Sequence, residues 1–253
     1  MRVFITNDDG IFADGLTVLL KELKSIASHI YVVAPDRERS ATGHSITMHR
    51  PLRVRVADFP DNKVQGWIVD GTPADCVKLG LESLIPDTPD IVIAGINYGP
   101  NLGTDVLYSG TVASAAEGVI NGIPSVAISL ATHGNPDYRY AANFVKKLVP
   151  VILDHGLPCG TLLNINIPSG KPAGYQITKL GNLYYRNAID KRTDPRGRDY
   201  FWMAGKPYSQ DYGDPLTDIG TVKNGLISIT PVQLDMTNYK LIPTLKKWKL
   251  DLE

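Results

Sequence analysis

The 253-residue chain carries 26 Lys and Arg against 26 Asp and Glu, and this zero formal charge gives no global field favouring a nucleic-acid polymer or an anionic membrane as partner. Its 43% hydrophobic content suits a globular fold with a sizeable core. Its two cysteines, Cys76 and Cys159, lie far apart in no metal-ligand spacing; they argue against a disulfide framework, and with no signal-peptide pattern and no bilayer-length apolar run a cytoplasmic, reducing location is expected.

Val3, Phe4 and Ile5 form a short apolar run that predicts a buried strand. The run ends in Asn7-Asp8-Asp9-Gly10. Two adjacent carboxylates at a buried strand end repel each other and resist desolvation, which a hard divalent cation with oxygen ligands would relieve. A cap for the next helix, with Gly10 in the turn, accounts for the tetrapeptide equally well. Leu16, Leu19, Leu20 and Leu23 then repeat at helical spacing. Residues 30–34 give a second strand, and residues 36–45 a polar, glycine-containing loop. Alternation in residues 52–56 predicts a half-exposed strand in a small antiparallel excursion.

Residues 67–70 read as a strand entering a helix with Thr72 as N-cap and Pro73 in its first turn, running to about residue 84. Residues 90–94 predict a buried strand, followed by a Gly/Asn-rich loop to Gly103. Ser109-Gly110-Thr111 opens a small-residue helix over 112–121, closed by Gly122. Strands at 125–130 and 162–167 flank a helix over 138–153. The alternation predicts an α/β fold, a three-layer Rossmann-like, mostly parallel sheet with helices on both faces. Residues 171–215 lose helical periodicity and are rich in Tyr, Gly, Arg and Asp. They read as a long hairpin or arm serving subunit contact, with a strand at 226–230 and a short helix over 238–250. No domain boundary stands out, so residues 1–253 are read as one domain with an oligomerisation arm over about 171–253.

Ligands of open parallel sheets bind beyond the carboxyl ends of the strands. Those ends supply Asn7, Asp8 and Asp9, then residues 36–45, then Asp70, then Asn97 and Asn101. Neutral oxygens beside two carboxylates suit one hard metal with open positions; the scarcity of His and Cys argues against zinc. Ser109-Gly110-Thr111 can cradle a phosphate at a helix start, or simply cap the helix. Arg37 and Arg39 can attract an anion, His44 and His49 are weak proton-donor candidates, and Asp70 suits a helix cap. A P-loop and a Gly-x-Gly-x-x-Gly fingerprint are both absent. Aligned with the Asp-x-Asp-Gly stretch of haloacid-dehalogenase-like phosphatases, the chain has Asn7 where a nucleophilic Asp must stand, which favours attack by activated water over an aspartyl-phosphate.

Asn7-Asp-Asp-Gly10, Ala34-Pro-Asp-Arg-x-Arg-Ser40, Gly71-Thr-Pro-Ala-Asp75, Gly95-Ile-Asn-x-Gly-x-Asn-x-Gly103 and Ser109-Gly-Thr111 occur together and in order. With them the chain closely resembles the SurE (survival protein E) family of metal-dependent nucleotidases, most strongly over residues 1–130. The resemblance implies a cytoplasmic phosphatase acting on nucleoside 5′- and 3′-monophosphates, with some members trimming polyphosphate ends. It implies a metal site of Asp8, Asp9, Ser40 and Asn97; one divalent cation per subunit, Mg²⁺ or Mn²⁺, is expected there, with Asp8 and Asp9 as the catalytic candidates because one of them can orient or deprotonate the water. It places Ser109, Gly110 and Thr111 near the phosphate; Asn7 and Asn101 are grouped with the substrate residues. A homodimer or homotetramer through the C-terminal arm is expected. The rival readings are a nucleotide-sensing regulator without hydrolysis and a short-chain polyphosphatase.

Overall fold

The computed structural model describes residues 1–132, 134–203 and 205–248. Its first strand, β1 (Arg2–Thr6), is central. Val3 and Ile5 point to one face of the sheet and Phe4 to the other, and all three are fully buried. This two-sided burial is what a parallel strand covered by helices requires.

The chain continues through α1 (Asp14–Leu23), β2 (His29–Pro35), β3 (Val54–Ala57), β4 (Val64–Val69) and α2 (Pro73–Leu79), which widens into a π-turn at Gly80–Leu84. Next come β5 (Ile91–Tyr98), a 3₁₀ turn at Gly103–Leu107, α3 (Gly110–Ile120), β6 (Ser125–Ala131), α4 (Arg139–His155) and β7 (Thr161–Pro168). The last third holds β8 (Tyr175–Ile177), β9 (Tyr184–Arg186), β10 (Ile189–Thr193), β11 (Asp199–Met203), β12 (Lys206–Tyr208), α5 (Asp218–Lys223), β13 (Ile227–Gln233) and α6 (Ile242–Leu245).

The central sheet runs β3-β4-β2-β1-β5-β6-β7-β13-β8. Pairings from β4 across to β7 are all parallel, while β3 on β4 and β13 on β7 are antiparallel. One layer of the core places Leu16, Leu19 and Leu23 of α1 with Ala141, Val145 and Val149 of α4 against the sheet. The opposite layer uses Cys76 and Val77 of α2 and the small-residue helix α3, whose Ala115 and Ala116 let it lie close over Ala94 and Ala127. The sandwich of helix, sheet and helix matches the α/β expectation. The topology has a functional consequence: from β1 the chain winds outward to β2 and β4, then returns to the other side of β1 as β5. Strand order reverses there, and the crevice at the carboxyl ends of β1 and β5 is the natural ligand position.

The excursion predicted at 52–56 is β3, an exposed antiparallel edge strand. Not all of residues 171–253, the expected arm, stands apart from the sheet. β8 and β13 belong to the central sheet, and α5 lies against β13 and β7. What stands outside the sheet is residues 184–208, a β10–β11 hairpin and a β9–β12 pair whose residues are nearly all exposed. The terminal helix predicted over 238–250 is the single turn α6, and residues 249–250 lie outside the described residues. No helix among the described residues is long and apolar enough to cross a membrane.

Candidate active site

The turn after β1 is closed by Asn7. Its side-chain nitrogen donates to the Gly10 carbonyl at 2.8 Å, and its Oδ1 accepts from the Gly10 N–H at 3.2 Å. Gly10 sits at φ +101°, and a Cβ there would come within 3.2 Å of the Arg37 backbone. Asn7 is fully buried, and both hydrogen bonds of its amide go to Gly10, so it shapes the loop.

The Asn7 turn presents the two carboxylates differently. Asp8 is buried, and its Oδ1 accepts from the Thr111 hydroxyl at 2.5 Å. A Cβ on Gly110 would lie 3.0 Å from Asp8 Oδ2, so this carboxylate rests against the first turn of α3. Asp9 is half-buried and accepts at Oδ2 from the Tyr98 N–H at 3.2 Å. The Asp8 carbonyl accepts from the Arg39 N–H at 2.7 Å. Loops after β1, β2 and β5 and the start of α3 thereby meet at one point.

Burial raises the pKa of Asp8, against the lowering effect of Thr111. Burial, then the neighbouring Asp8 charge, raises Asp9 to about 7. Glu38 adds like-charge repulsion to both. Among the described residues no Lys, Arg or His lies within ion-pairing distance of Asp8 or Asp9. Buried acids without a counter-charge are costly, and a cation is the direct remedy.

The donor set fits a hard oxygen-ligated ion. Among the described residues no three His, Cys, Asp or Glu side chains gather as a metal cluster, so an ion held by Asp8 and Asp9 would draw on neutral oxygens as well. Asn97 donates its side-chain nitrogen to the Gly99 carbonyl at 2.9 Å, which leaves Oδ1 without a partner among the described residues. Ser40 is exposed and donates its hydroxyl to Glu38 at 2.5 Å, keeping its lone pairs free to ligate.

The proposed cradle divides. Ser109 is a true N-cap, accepting from the Val112 N–H at 3.1 Å. Thr111 is committed to Asp8, while the Gly110 N–H has no partner among the described residues. Asn101 is drawn elsewhere. It is buried, donates to Ser129 at 2.8 Å, and accepts at its carbonyl from Asn164 and Asn166, with no hydrogen bond to Asp8 or Asp9. Arg39 is spent on Asp36 at 3.1 Å; Arg37 is exposed, with no ion pair among the described residues. Asp70 does not cap α2. It pairs with Arg50 at 3.2 Å and accepts from the Arg53 N–H, while Thr72 and Asp75 form the reciprocal cap.

Three contributions escaped the sequence reading. Glu38, hidden between two arginines, is the third charge near the carboxylates. Asp75 reaches out of α2 to hold Thr47 through both its N–H and its hydroxyl. Glu117, buried in α3, holds His44 at 2.9 Å. An acid inside an otherwise small and apolar helix was the available signal for the last of these.

Comparison with known proteins decides the family. The model of the family described as "Survival protein SurE" matches residues 3–187. The chain belongs to the SurE family. It is 61% identical to 5′-nucleotidase SurE of Desulforudis audaxviator, over 99% of this chain and 98% of that protein. Identity is 59% with 5′-nucleotidase SurE of Pelotomaculum thermopropionicum, over 98% and 95%. The crystal structure of the SurE protein from Aquifex aeolicus superposes with a TM-score of 0.84 at 40% identity, covering 97% of this chain and 98% of that one. Every loop that meets at Asp8 and Asp9 lies inside the stretch matched by the SurE model, whereas α5 and β13 lie beyond it.

Proposed function

We propose that this SurE-family chain is a cytoplasmic, metal-dependent phosphomonoesterase that hydrolyses nucleoside 5′-monophosphates, and 3′-monophosphates as well, by attack of activated water. Support for the nucleotide substrate comes from relatives named 5′-nucleotidase SurE, similar over nearly their whole length. The single observation that carries the chemistry is the pair Asp8–Asp9, one buried and one half-buried carboxylate beside the amino end of α3 with no Lys, Arg or His in ion-pairing distance among the described residues.

Asp8, Asp9, Ser40 and Asn97 would hold one divalent cation, Mg²⁺ or Mn²⁺. Bound there, such an ion supplies Lewis-acid polarisation of the phosphoryl group and lowers the pKa of a water. The protein's own groups supply the rest. Thr111 fixes the Asp8 carboxylate by donating to Oδ1. Asp9 Oδ1, opposite the oxygen taken by Tyr98, orients the attacking water and receives its proton. The free Gly110 N–H and the positive end of the α3 dipole stabilise charge on the phosphoryl oxygens, beside Ser109. The projecting residues 184–208 join subunits into a homodimer or homotetramer.

Phosphate release from AMP with Mn²⁺, measured with and without EDTA, tests the reading. Release should cease with EDTA, and Asp8→Asn and Asp9→Asn should each lower kcat by about a hundredfold or more without loss of the folded melt. Near-normal turnover in both variants would remove Asp8–Asp9 as the centre. AMP bound but not cleaved would favour a sensor, and cleavage of short polyphosphate alone would move the substrate.

A further inference from the structure

β7 carries two asparagines where a strand buried on both faces ordinarily carries aliphatic residues. Asn164 and Asn166 are both fully buried, and two positions apart on a strand they share one face of the sheet. A buried amide is costly unless it is hydrogen-bonded. Both amides are spent on a single residue. Asn166 accepts at Oδ1 from the Asn101 N–H at 2.8 Å and donates from Nδ2 to the Asn101 carbonyl at 3.0 Å. Because an N–H only donates and a carbonyl only accepts, the orientation of the Asn166 amide is fixed. Asn164 donates to the same carbonyl at 2.8 Å. Its Oδ1 has no hydrogen-bond partner among the described residues, so the hold on Asn101 is what this amide does.

β6 completes the anchorage. The Asn101 side chain donates to Ser129 Oγ at 2.8 Å. Ser129 stands opposite Asn97 of β5, just past a shift in register between Ala94 and Asn97. The Gly99 N–H donates to the Leu130 carbonyl at 3.0 Å, and Asn97 donates from its side chain to the Gly99 carbonyl at 2.9 Å. Between these anchors the Tyr98 N–H donates to Asp9 Oδ2. Residues 97–101 thus reach the carboxylate centre twice, through the Asn97 side chain and through Asp9. The far end of the segment is held by side chains of β6 and β7. Neither Asn164 nor Asn166 hydrogen-bonds to Asp8, Asp9, Ser40 or Asn97 among the described residues.

We propose that Asn164 and Asn166 are positioning residues for the divalent cation, acting through Asn101 to keep Asn97 Oδ1 and Asp9 in the arrangement that binds it. This extends the metal-dependent reading to two residues that touch neither ion nor substrate, and it rests on that reading. Loss of such an outer support typically weakens a metal site by about ten- to a hundredfold.

The test titrates the full-length, metal-free protein with Mn²⁺ in the absence of nucleotide and reads free Mn²⁺ by electron paramagnetic resonance, so turnover does not enter. Asn166→Ala should weaken Mn²⁺ binding about tenfold or more while keeping a cooperative melt. Asn164→Ala leaves the Asn101 carbonyl one of its two donors. Its weakening should be smaller, about fivefold, the scale of one hydrogen bond, and it decides the matter should Asn166→Ala fail to fold. Ser228→Ala is the control. Ser228 pairs with Asn166 across the β13–β7 ladder and is fully buried, but its hydroxyl has no hydrogen-bond partner among the described residues, so this variant should keep the Mn²⁺ affinity of the unmodified protein. Unchanged affinity in a folded Asn166→Ala, or in Asn164→Ala where that variant decides, overturns the proposal. An equal loss in Ser228→Ala also overturns it, and assigns the effect to a general loosening of the sheet. Failure of the metal reading looks different: the unmodified protein then gives a flat Mn²⁺ titration, and the positioning role falls with the ion.

Discussion

Asp8 and Asp9 are neighbours in the chain with different surroundings. Asp8 has a hydroxyl donor in Thr111 and is almost closed off from water; Asp9 has, among the described residues, a backbone N–H as its donor and remains half-open. Without a cation, both carboxyls are harder to ionise folded than unfolded. For Asp9 the window runs from its ordinary 3.8 to about 7. Within it the folded chain holds more protons than the unfolded chain, so stability falls as pH rises and the loss is complete above about pH 7. Melting temperatures of metal-free protein should therefore decline from pH 5 to pH 8, by roughly 2–4 °C for each kcal/mol lost. Added Mn²⁺ should restore the melt most strongly at the high-pH end, since there it does not compete with protons. Asp9→Asn should flatten the decline. A metal-free protein that grows more stable from pH 5 to pH 8 would contradict the unpaired-acid picture.

At the scale of elements, the site depends on how closely α3 approaches the turn after β1. A Cβ on Gly110 would stand 2.9 Å from Asp8 Cβ and 3.0 Å from Pro73 Cγ, closer than side chains pack without displacement. Gly110→Ala should push α3 from the turn and cut kcat by about tenfold or more, for an overpacking cost of about 1–3 kcal/mol in the melt. A variant with full activity would show that the helix start can slide without disturbing the Asp8 position. The elements themselves were legible. Val3-Phe4-Ile5, residues 30–34 and residues 125–130 are apolar runs too short for helices, and Thr72-Pro73 and Ser109 announce helix starts. The candidate site was legible in part, because strand ends in a parallel sheet are predictable meeting places, and Asp8 and Asp9 stand at one of them, facing the helix start at Ser109. Individual roles were harder to read. Whether Asn7 closes its own turn or faces a ligand, and whether Thr111 serves Asp8 or a phosphate, depends on contacts such as the one between residues 8 and 111. The His44–Glu117 pair spans 73 residues and has no local signature. The antiparallel return of β13 beside β7 is likewise a pairing that no local pattern encodes.

At the scale of the molecule, residues 184–208 hold large apolar side chains in water. Phe201 and Trp202 are each 59% exposed, and Ile189, Tyr184 and Met203 are also exposed. Exposed large apolar side chains of this kind support the subunit contact proposed for this segment. The arm is also tied to the site. Tyr185 donates to Asp105 at 2.6 Å, and Thr104 donates to the Leu183 carbonyl; both partners belong to the turn that leads into Ser109. Asp218 fixes the same turn by accepting from the N–H groups of Gly103 and Gly181, each at 2.8 Å. Displacing this segment should therefore reach the turn before Ser109 as well as the proposed subunit contact. Phe201→Ser combined with Trp202→Ser should shift sedimentation towards the monomer, and kcat should fall with it because the Gly103–Leu107 turn loses its support. Tyr185→Phe removes only the hydroxyl; it should leave sedimentation unchanged while lowering kcat by a few-fold, a loss on the scale of one hydrogen bond, about 1 kcal/mol. If the double variant sediments as the unmodified chain does, the exposed aromatics are not the subunit contact. If Tyr185→Phe keeps full turnover, the arm and the active site are neighbours without being coupled.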